Sequence, residues 1–175
     1  RYSTVCRWRV PYCGKMRYNQ AQLVRTYTTA YPVTGDERWK RVSEDVLRYV
    51  AREMTSEEGG FYSALDAETD AVEGKYYVWD ETDVVDLLGA TAALFLDLYG
   101  MAPVPEVAGS VLFRKTTESE VAANHEIDVS LLRSTMVAAR SVLLAERQRR
   151  PYPLLDDKLL TSWNGLMISA CAEPY

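Results

Sequence analysis

The side chains of this sequence best suited to chemistry are two acidic pairs, each near aromatic or amide groups. In PLLDDKLLTSWNGLMISA (153–170), Asp156 and Asp157 precede Lys158, Trp163 and Asn164. In GGFYSALDAETDAVEGKYYVWD (59–80), Asp66 and Glu68 lie between Tyr62 and Trp79. Two carboxylates held near one another can divide the roles of general acid and general base when their surroundings separate their pKa values, the arrangement used in glycoside chemistry. An aromatic face beside hydrogen-bonding groups suits a sugar ring, which has an apolar face and a polar edge. The candidate catalytic residues are therefore Asp66, Glu68, Asp156 and Asp157. The candidate ligand-binding residues are Tyr62, Trp79, Lys158, Trp163 and Asn164.

Each group has a plainer explanation beside the functional one. Asp156 and Asp157 stand just before a helix start, where carboxylates meet unsatisfied N–H groups and the helix dipole, an effect of roughly 0.3–1 kcal/mol. That explains one aspartate and leaves Lys158, Trp163 and Asn164 unexplained. Asp66 and Glu68 are equally well explained as charges on a solvated loop. Among Phe61, Tyr62, Tyr76, Tyr77 and Trp79, strand-like alternation assigns about half to packing, and Tyr62 and Trp79 are the two chosen to face a ligand.

Three cysteines, Cys6, Cys13 and Cys171, are odd in number and lack C-x-x-C spacing, against a zinc or thioredoxin-type site and for free thiols. That points to a reducing compartment, the cytoplasm or an organelle matrix, rather than secretion. A Cys6–Cys13 redox pair is disfavoured by its spacing. The single histidine, His125, lies in a polar stretch and reads as a surface side chain. No metal and no cofactor is expected.

Composition narrows the partners. With 175 residues, 47% hydrophobic and 26% charged, the chain can bury one ordinary core. A net charge of -5 gives no footprint for nucleic acid. The basic run Arg147, Arg149 and Arg150 follows a predicted helix, whose negative end it complements. No run approaches the ~20 apolar residues of a membrane span, and the start does not resemble a signal peptide, so a soluble protein is expected. A first residue Arg1 and a last residue Tyr175 close on an apolar helical pattern read as part of something longer.

Periodicity supplies the elements that must position these residues. Leu23, Tyr27, Ala30 and Tyr31 mark one helix face, ended by Pro32 and Gly35. Asp36 then caps a second helix carrying Trp39, Val42, Val46, Tyr49 and Val50, which makes an αα-hairpin. Residues 59–80 form a β-excursion. Short helices follow. In one, Asp80 resembles an N-cap, Asp83 lies in the first turn, and Val84, Val85, Leu87 and Leu88 lead to Gly89. Another, around Leu94, Phe95, Leu98 and Tyr99, stops at Gly100, and then comes a loop, APVPEVAG. A short run at 111–114 and a weak helix near 118–125 precede a long helix capped by Asp128, with Leu132, Met136, Ala139 and Leu143 inward. The last helix starts at Thr161 or Ser162. Helices in sequential pairs, with polar insertions between them, predict an all-α toroid or bundle.

Several segments together resemble one family, the thioredoxin-domain-containing proteins of the spermatogenesis-associated protein 20 type. They are RYST (1–4), the KM.Y.QAQL pattern (15–23), TGD (34–36), EGGFYSALDA (58–67), EGKYYVW (73–79) and LDDKLLTSWNGLMISA (155–170). The resemblance implies a partial (α/α)6 toroid like those of six-hairpin glycosidases and N-acylglucosamine 2-epimerases, with a β-hairpin excursion. It makes 1–175 a single incomplete barrel segment, with the family's N-terminal thioredoxin-like domain absent. Closing such a barrel takes about a dozen helices, so a protein partner or missing chain would cover its apolar edges. Departures from the family pattern matter too. Tyr12, Cys13, Gly14 and Asn19 stand where the family commonly has His, Phe, Glu and Asp, and Leu154 stands for another His. The expected function is an epimerase- or glycosidase-like barrel segment with a carbohydrate-like ligand and impaired catalysis. The alternative is a non-catalytic structural or interaction subunit.

Overall fold

A computed structural model describes residues 3, 10–104 and 107–173. In chain order it contains β1 (Lys15–Met16), α1 (Arg17–Thr34), α2 (Glu37–Glu53), β2 (Ala64–Leu65), β3 (Glu68–Thr69), β4 (Val72–Glu73) and α3 (Glu81–Leu88). A 3-10 turn (Gly89–Thr91) leads to α4 (Ala92–Leu98), β5 (Tyr99–Pro103), β6 (Ser110–Arg114), α5 (Glu118–Asn124), α6 (Val129–Arg147), β7 (Leu155–Asp156) and α7 (Thr161–Ala172). The chain is mostly helical with small β-pairs. No helix among the described residues is long and apolar enough to cross a membrane.

The chain divides into two compact units. The first comprises residues 14–67 and 154–173. Gly35 ends α1 in the left-handed region at φ 67°, its N–H donating to Tyr31 O, and Asp36 starts α2 by accepting from Arg38 N at 2.9 Å. This hairpin packs with α7 around Ala21, Val24, Val50, Met54, Met167 and Ala170. The buried stripe of α1 runs through Arg17, Gln20, Ala21, Val24 and Thr28, one step round from the expected Leu23–Tyr27–Ala30–Tyr31 face, which is half-buried. Small side chains at 21 and 24 let helices approach, while the tyrosines keep their hydroxyl ends toward water. A three-stranded antiparallel sheet, β1–β2–β7, pairs Lys15 with Leu65 and Ala64 with Asp156.

The second unit comprises residues 10–13 and 68–153. Its core joins α3, α4, α5 and α6 through Val84, Leu88, Phe95, Leu98, Val121, Leu132, Met136, Ala139 and Leu143. Burying each large apolar side chain contributes roughly 1.5–3 kcal/mol. The four expected inward positions of α6 are its four buried residues. Asp128 caps α6 by accepting from Ser130 N at 2.6 Å. Thr117 and Glu120 close a reciprocal capping box on α5.

Two segments differ from expectation. The end of the helix expected around Tyr99, together with Ala102 and Pro103 of the stretch expected to be only loop, forms β5, which pairs with β6 in a five-residue antiparallel ladder. Gly100 faces Phe113 there, and a Cβ at position 100 would lie 2.3 Å from the ring. The β-excursion, in turn, keeps its aromatic residues out of strands. Its hairpin is β3–β4, closed by Asp70 (φ 52°) and Ala71 (φ 59°), while Tyr76 and Tyr77 lie in the turn beyond it. Two successive positive φ angles give a turn twist that matches the strands, normally the province of Asn-Gly.

Candidate functional site

In the first unit, the motif segment is held chiefly by polar contacts to the main chain. Asn164 makes three of them. Its Oδ1 accepts from Phe61 N at 2.8 Å, and its Nδ2 donates to Phe61 O and Leu160 O, both at 3.0 Å. The amide thus pairs with residue 61 as a neighbouring strand would. Ser63 Oγ donates to Lys158 O at 2.6 Å, and Ser63 N to Asp156 O at 3.0 Å. Trp163 sets its ring edge-on to Tyr18, with centroids 5.0 Å apart. Leu160, not Thr161 or Ser162, occupies the N-cap of α7, so no hydroxyl caps that helix. Asn164 instead takes up the Leu160 carbonyl from within.

The carboxylates of this unit differ in their surroundings. Asp156 Oδ1 lies 2.6 Å from Lys158 Nζ, and that hydrogen bond holds its pKa below the usual carboxylate range. A general acid needs the opposite shift. Asp66, Asp157 and Lys158 are exposed. Tyr62 is half-buried, with its main chain engaged: its N–H donates to Met54 O at 2.8 Å, and its carbonyl accepts from Arg17 Nη2. Arg17 itself is fully buried over the Phe61 ring, and burial lowers its pKa to about 10, against the fields of Tyr49 and Cys171.

The second unit assembles a different site, around Trp79. A cavity of about 530 Å³ is framed by β3–β4, the following turn, the start of α3 and the residues after α6. That volume is within the roughly 300–1,000 Å³ typical of small-molecule sites. Val72, Val78, Val107, Ala108 and Pro151 supply apolar wall, and Thr69, Lys75, Tyr76, Asp80, Asp83 and Arg150 supply polar groups. Tyr76 and Thr69 are 2% and 6% exposed, and both hydroxyls are buried without a hydrogen-bond partner. Native interiors rarely leave such groups unsatisfied, since each costs about 1–3 kcal/mol. A second cavity of about 330 Å³ shares Trp79, Asp83 and Arg150 and adds Asp86 and Glu146.

Arg150 organises this wall. Its Nη1 donates to Val78 O at 2.7 Å and Tyr76 O at 3.2 Å, and its guanidinium lies 4.1 Å over the Trp79 ring. Trp79 therefore borders the cavity with a ring face already covered by a cation. Arg147 lies 5.4 Å over Tyr76, whose ring also meets Tyr77 and Tyr152 edge-on. The basic run after α6 is thus largely an aromatic clamp rather than a complement to the helix dipole alone.

Of the sequence candidates, Trp79 alone lines this cavity, and Glu68 is exposed on the adjoining strand. Tyr76, Thr69, Asp80 and Arg150 were not foreseen as site residues. Tyr76 lay within a run read as strand, and Arg150 within one read as a helix end. His125 is exposed, with Nε2 2.6 Å from Asp97 Oδ2. Cys6 lies outside the described residues, and Cys13 is buried, its Sγ donating to Pro11 O at 3.6 Å. Among the described residues, no three His, Cys, Asp or Glu side chains converge as metal ligands would.

These features define a mostly helical protein with small antiparallel β-pairs and a cavity beside Trp79. The chain is 37% identical to human spermatogenesis-associated protein 20 across 98% of its own residues and 25% of the relative's. It is 35% identical to the mouse protein of that name over the same shares, and 33% identical to the Caenorhabditis elegans uncharacterized protein B0495.5, covering 100% of the chain and 28% of the relative. Likeness at this level over the whole chain makes it a homologue of the spermatogenesis-associated protein 20 proteins. It spans about a quarter of the length of the curated relatives it matches. No family model matches it.

Proposed function

We propose that the chain is a segment of a spermatogenesis-associated protein 20-type α/α barrel, of the six-hairpin glycosidase and N-acylglucosamine 2-epimerase kind. Its role is to bind a polyhydroxylated, carbohydrate-type molecule in the cavity beside Trp79. The observation that carries this reading is the cavity itself, where Val72, Val78, Val107, Ala108 and Pro151 supply apolar surface beside the polar side chains of Lys75, Asp80, Asp83 and Arg150. A ligand with several hydroxyls can pair with those polar groups and rest its apolar face on the valine side chains. Binding without efficient catalysis follows from the candidate carboxylates: Asp66, Glu68 and Asp157 are exposed, and Asp156 is held low by Lys158.

Calorimetric titration of the chain with glucose, mannose and N-acetylglucosamine tests this. At least one should bind saturably, and Asp83→Ala should weaken it about 2- to 12-fold, the range of one net hydrogen bond. No saturable binding by any of the three retires the reading.

Exposed apolar side chains in the first unit favour a second reading, a structural or interaction subunit. Leu154, Leu159 and Ile168 are 74%, 48% and 61% exposed. Covering them would be the work of a protein partner or further barrel helices. A monodisperse monomer that unfolds cooperatively in sedimentation and denaturant experiments would count against this alternative.

A further inference from the structure

We infer that the Trp79 cavity is the first of two adjoining subsites, and that the ligand is an oligosaccharide whose neighbouring rings occupy the two, with Asp83 and Arg150 at the junction between them. This rests on the carbohydrate-type reading above and extends it from a single sugar to a chain of sugars.

The first argument is the relation between the two cavities. Those of about 530 and 330 Å³ each fall within the range of small-molecule sites, and Trp79, Asp83 and Arg150 line both. Their other walls are displaced in register. On α3, the N-cap residue Asp80, whose side chain makes no cap hydrogen bond, borders the larger cavity together with Asp83. Asp83, Asp86 and Leu87 border the smaller, which therefore lies about one helical turn, ~5.4 Å, further along α3. After α6 the order is reversed: Arg150 and Pro151 border the larger cavity, and Glu146, one turn back, borders the smaller. Arg149 and Arg150 continue the turns of α6, their N–H groups donating to Glu146 O and Arg147 O at 3.1 and 3.0 Å. Both walls thus set the smaller cavity one turn from the larger, as two positions along a groove rather than two depths of one hole. One turn is close to the length of a sugar ring.

The second argument is the state of the groups at the junction. Arg150 is fixed there by the Tyr76 and Val78 carbonyls and the Trp79 ring. Only Nη1 of its guanidinium is used in this way, and Nε and Nη2 make no hydrogen bond among the described residues. The Asp83 carboxylate accepts none among them either. Open donors and an open acceptor at one junction suit the link between two sugar rings, where hydroxyls of both rings converge and each can donate and accept. A second ring tethered to the first binds without a second loss of translational freedom, so affinity rises steeply with its addition.

The test is calorimetry of the chain with whichever of glucose, mannose and N-acetylglucosamine binds, set against its disaccharides: cellobiose and maltose, mannobiose, or chitobiose. The better disaccharide should bind at least about tenfold tighter than the single sugar. Asp86→Trp, at an exposed position of α3 that borders the smaller cavity and not the larger, should bring the disaccharide-to-monosaccharide ratio close to one, with thermal unfolding confirming that the variant folds. Equal affinity of the wild-type chain for the single sugar and its disaccharides overturns the second subsite and leaves the carbohydrate reading standing. A ratio that survives Asp86→Trp overturns the placement of the second ring in the smaller cavity. Failure of all three single sugars to bind overturns the underlying reading, and this inference with it.

Discussion

The two units use their polar side chains in opposite ways. In the first, Asn164, Ser63 and Arg17 reach main-chain atoms of residues 54, 61, 62 and 158 and stitch segments together. In the second, an apolar four-helix core carries the fold, and the buried Thr69 and Tyr76 hydroxyls lack partners, as do Nε and Nη1 of Arg17 in the first. A functional motif in sequence is thus no guarantee of functional atoms. Around the motif segment the Asn164 amide and the Ser63 hydroxyl substitute for regular β-pairing.

The contrast can be broken by removing the element that supports each unit. Leu132→Ala, at a fully buried position of α6, should cost about 2–5 kcal/mol. Hydrogen exchange should then show lost protection in α3–α6 and little change in α1, α2 and α7. Equal losses in both units would mean that they form one cooperative body. Asn164→Leu should cost about 2–3 kcal/mol, since it leaves the Phe61 main-chain groups without their partner. Its exchange footprint should fall on α7 and the residues around 61, the mirror image of the Leu132 variant.

A smaller effect sharpens the picture at the helix starts. Hydrogen bonds from the Thr116 hydroxyl, then from the Thr117 N–H and hydroxyl, hold Glu120 at about 2, below its usual 4.5. A depressed carboxylate stabilises the fold above its unfolded pKa and loses that effect as pH falls through the folded value. The contribution of the α5 capping box should therefore be complete above pH 4.5 and fade toward pH 2. Thr117→Ala should cost about 1 kcal/mol at neutral pH and flatten that acid limb in denaturant titrations. Smallest of all, Tyr76→Phe should change stability by less than about 1 kcal/mol, with any change upward, because it deletes a hydroxyl that has no partner. A clear loss would mean that the hydroxyl is satisfied in the folded chain.

Legibility in the sequence followed the same division. Strong 3.6-residue periodicity located α6 and its inward residues Leu132, Met136, Ala139 and Leu143, and the caps Asp36 and Asp128 were read correctly. The α1 stripe was misplaced by one step because large aromatic residues were weighted above Ala21 and Val24, whose small size is what close helix packing requires. The β5–β6 ladder was hidden by the prolines of its own loop. Asp80 looked like its two capping counterparts, and only the side-chain geometry separates them. Tyr76 and Thr69 carried no local signal, since a buried hydroxyl becomes conspicuous only when its surroundings lack a partner. Asn164 was chosen as a hydrogen-bonding group beside Trp163, and its amide hydrogen bonds go to the main chain of Phe61 and Leu160.

The β1–β2–β7 sheet joins residues near 15, 64 and 155, and α7 completes the core begun by α1 and α2. On a chain emerging from a ribosome, the α1–α2 hairpin is made early and then waits for about a hundred further residues before its last neighbours arrive. The helices of the second unit, α3 to α6, are contiguous and can close during that wait. Synthesis at about 5–20 residues per second makes the delay some 5–20 seconds, long compared with helix formation. During it the apolar side of the hairpin is open to chaperones and to misassociation. The order of translation thus leaves the motif-bearing unit as the last to be secured, with Asn164 among the final side chains to lock it.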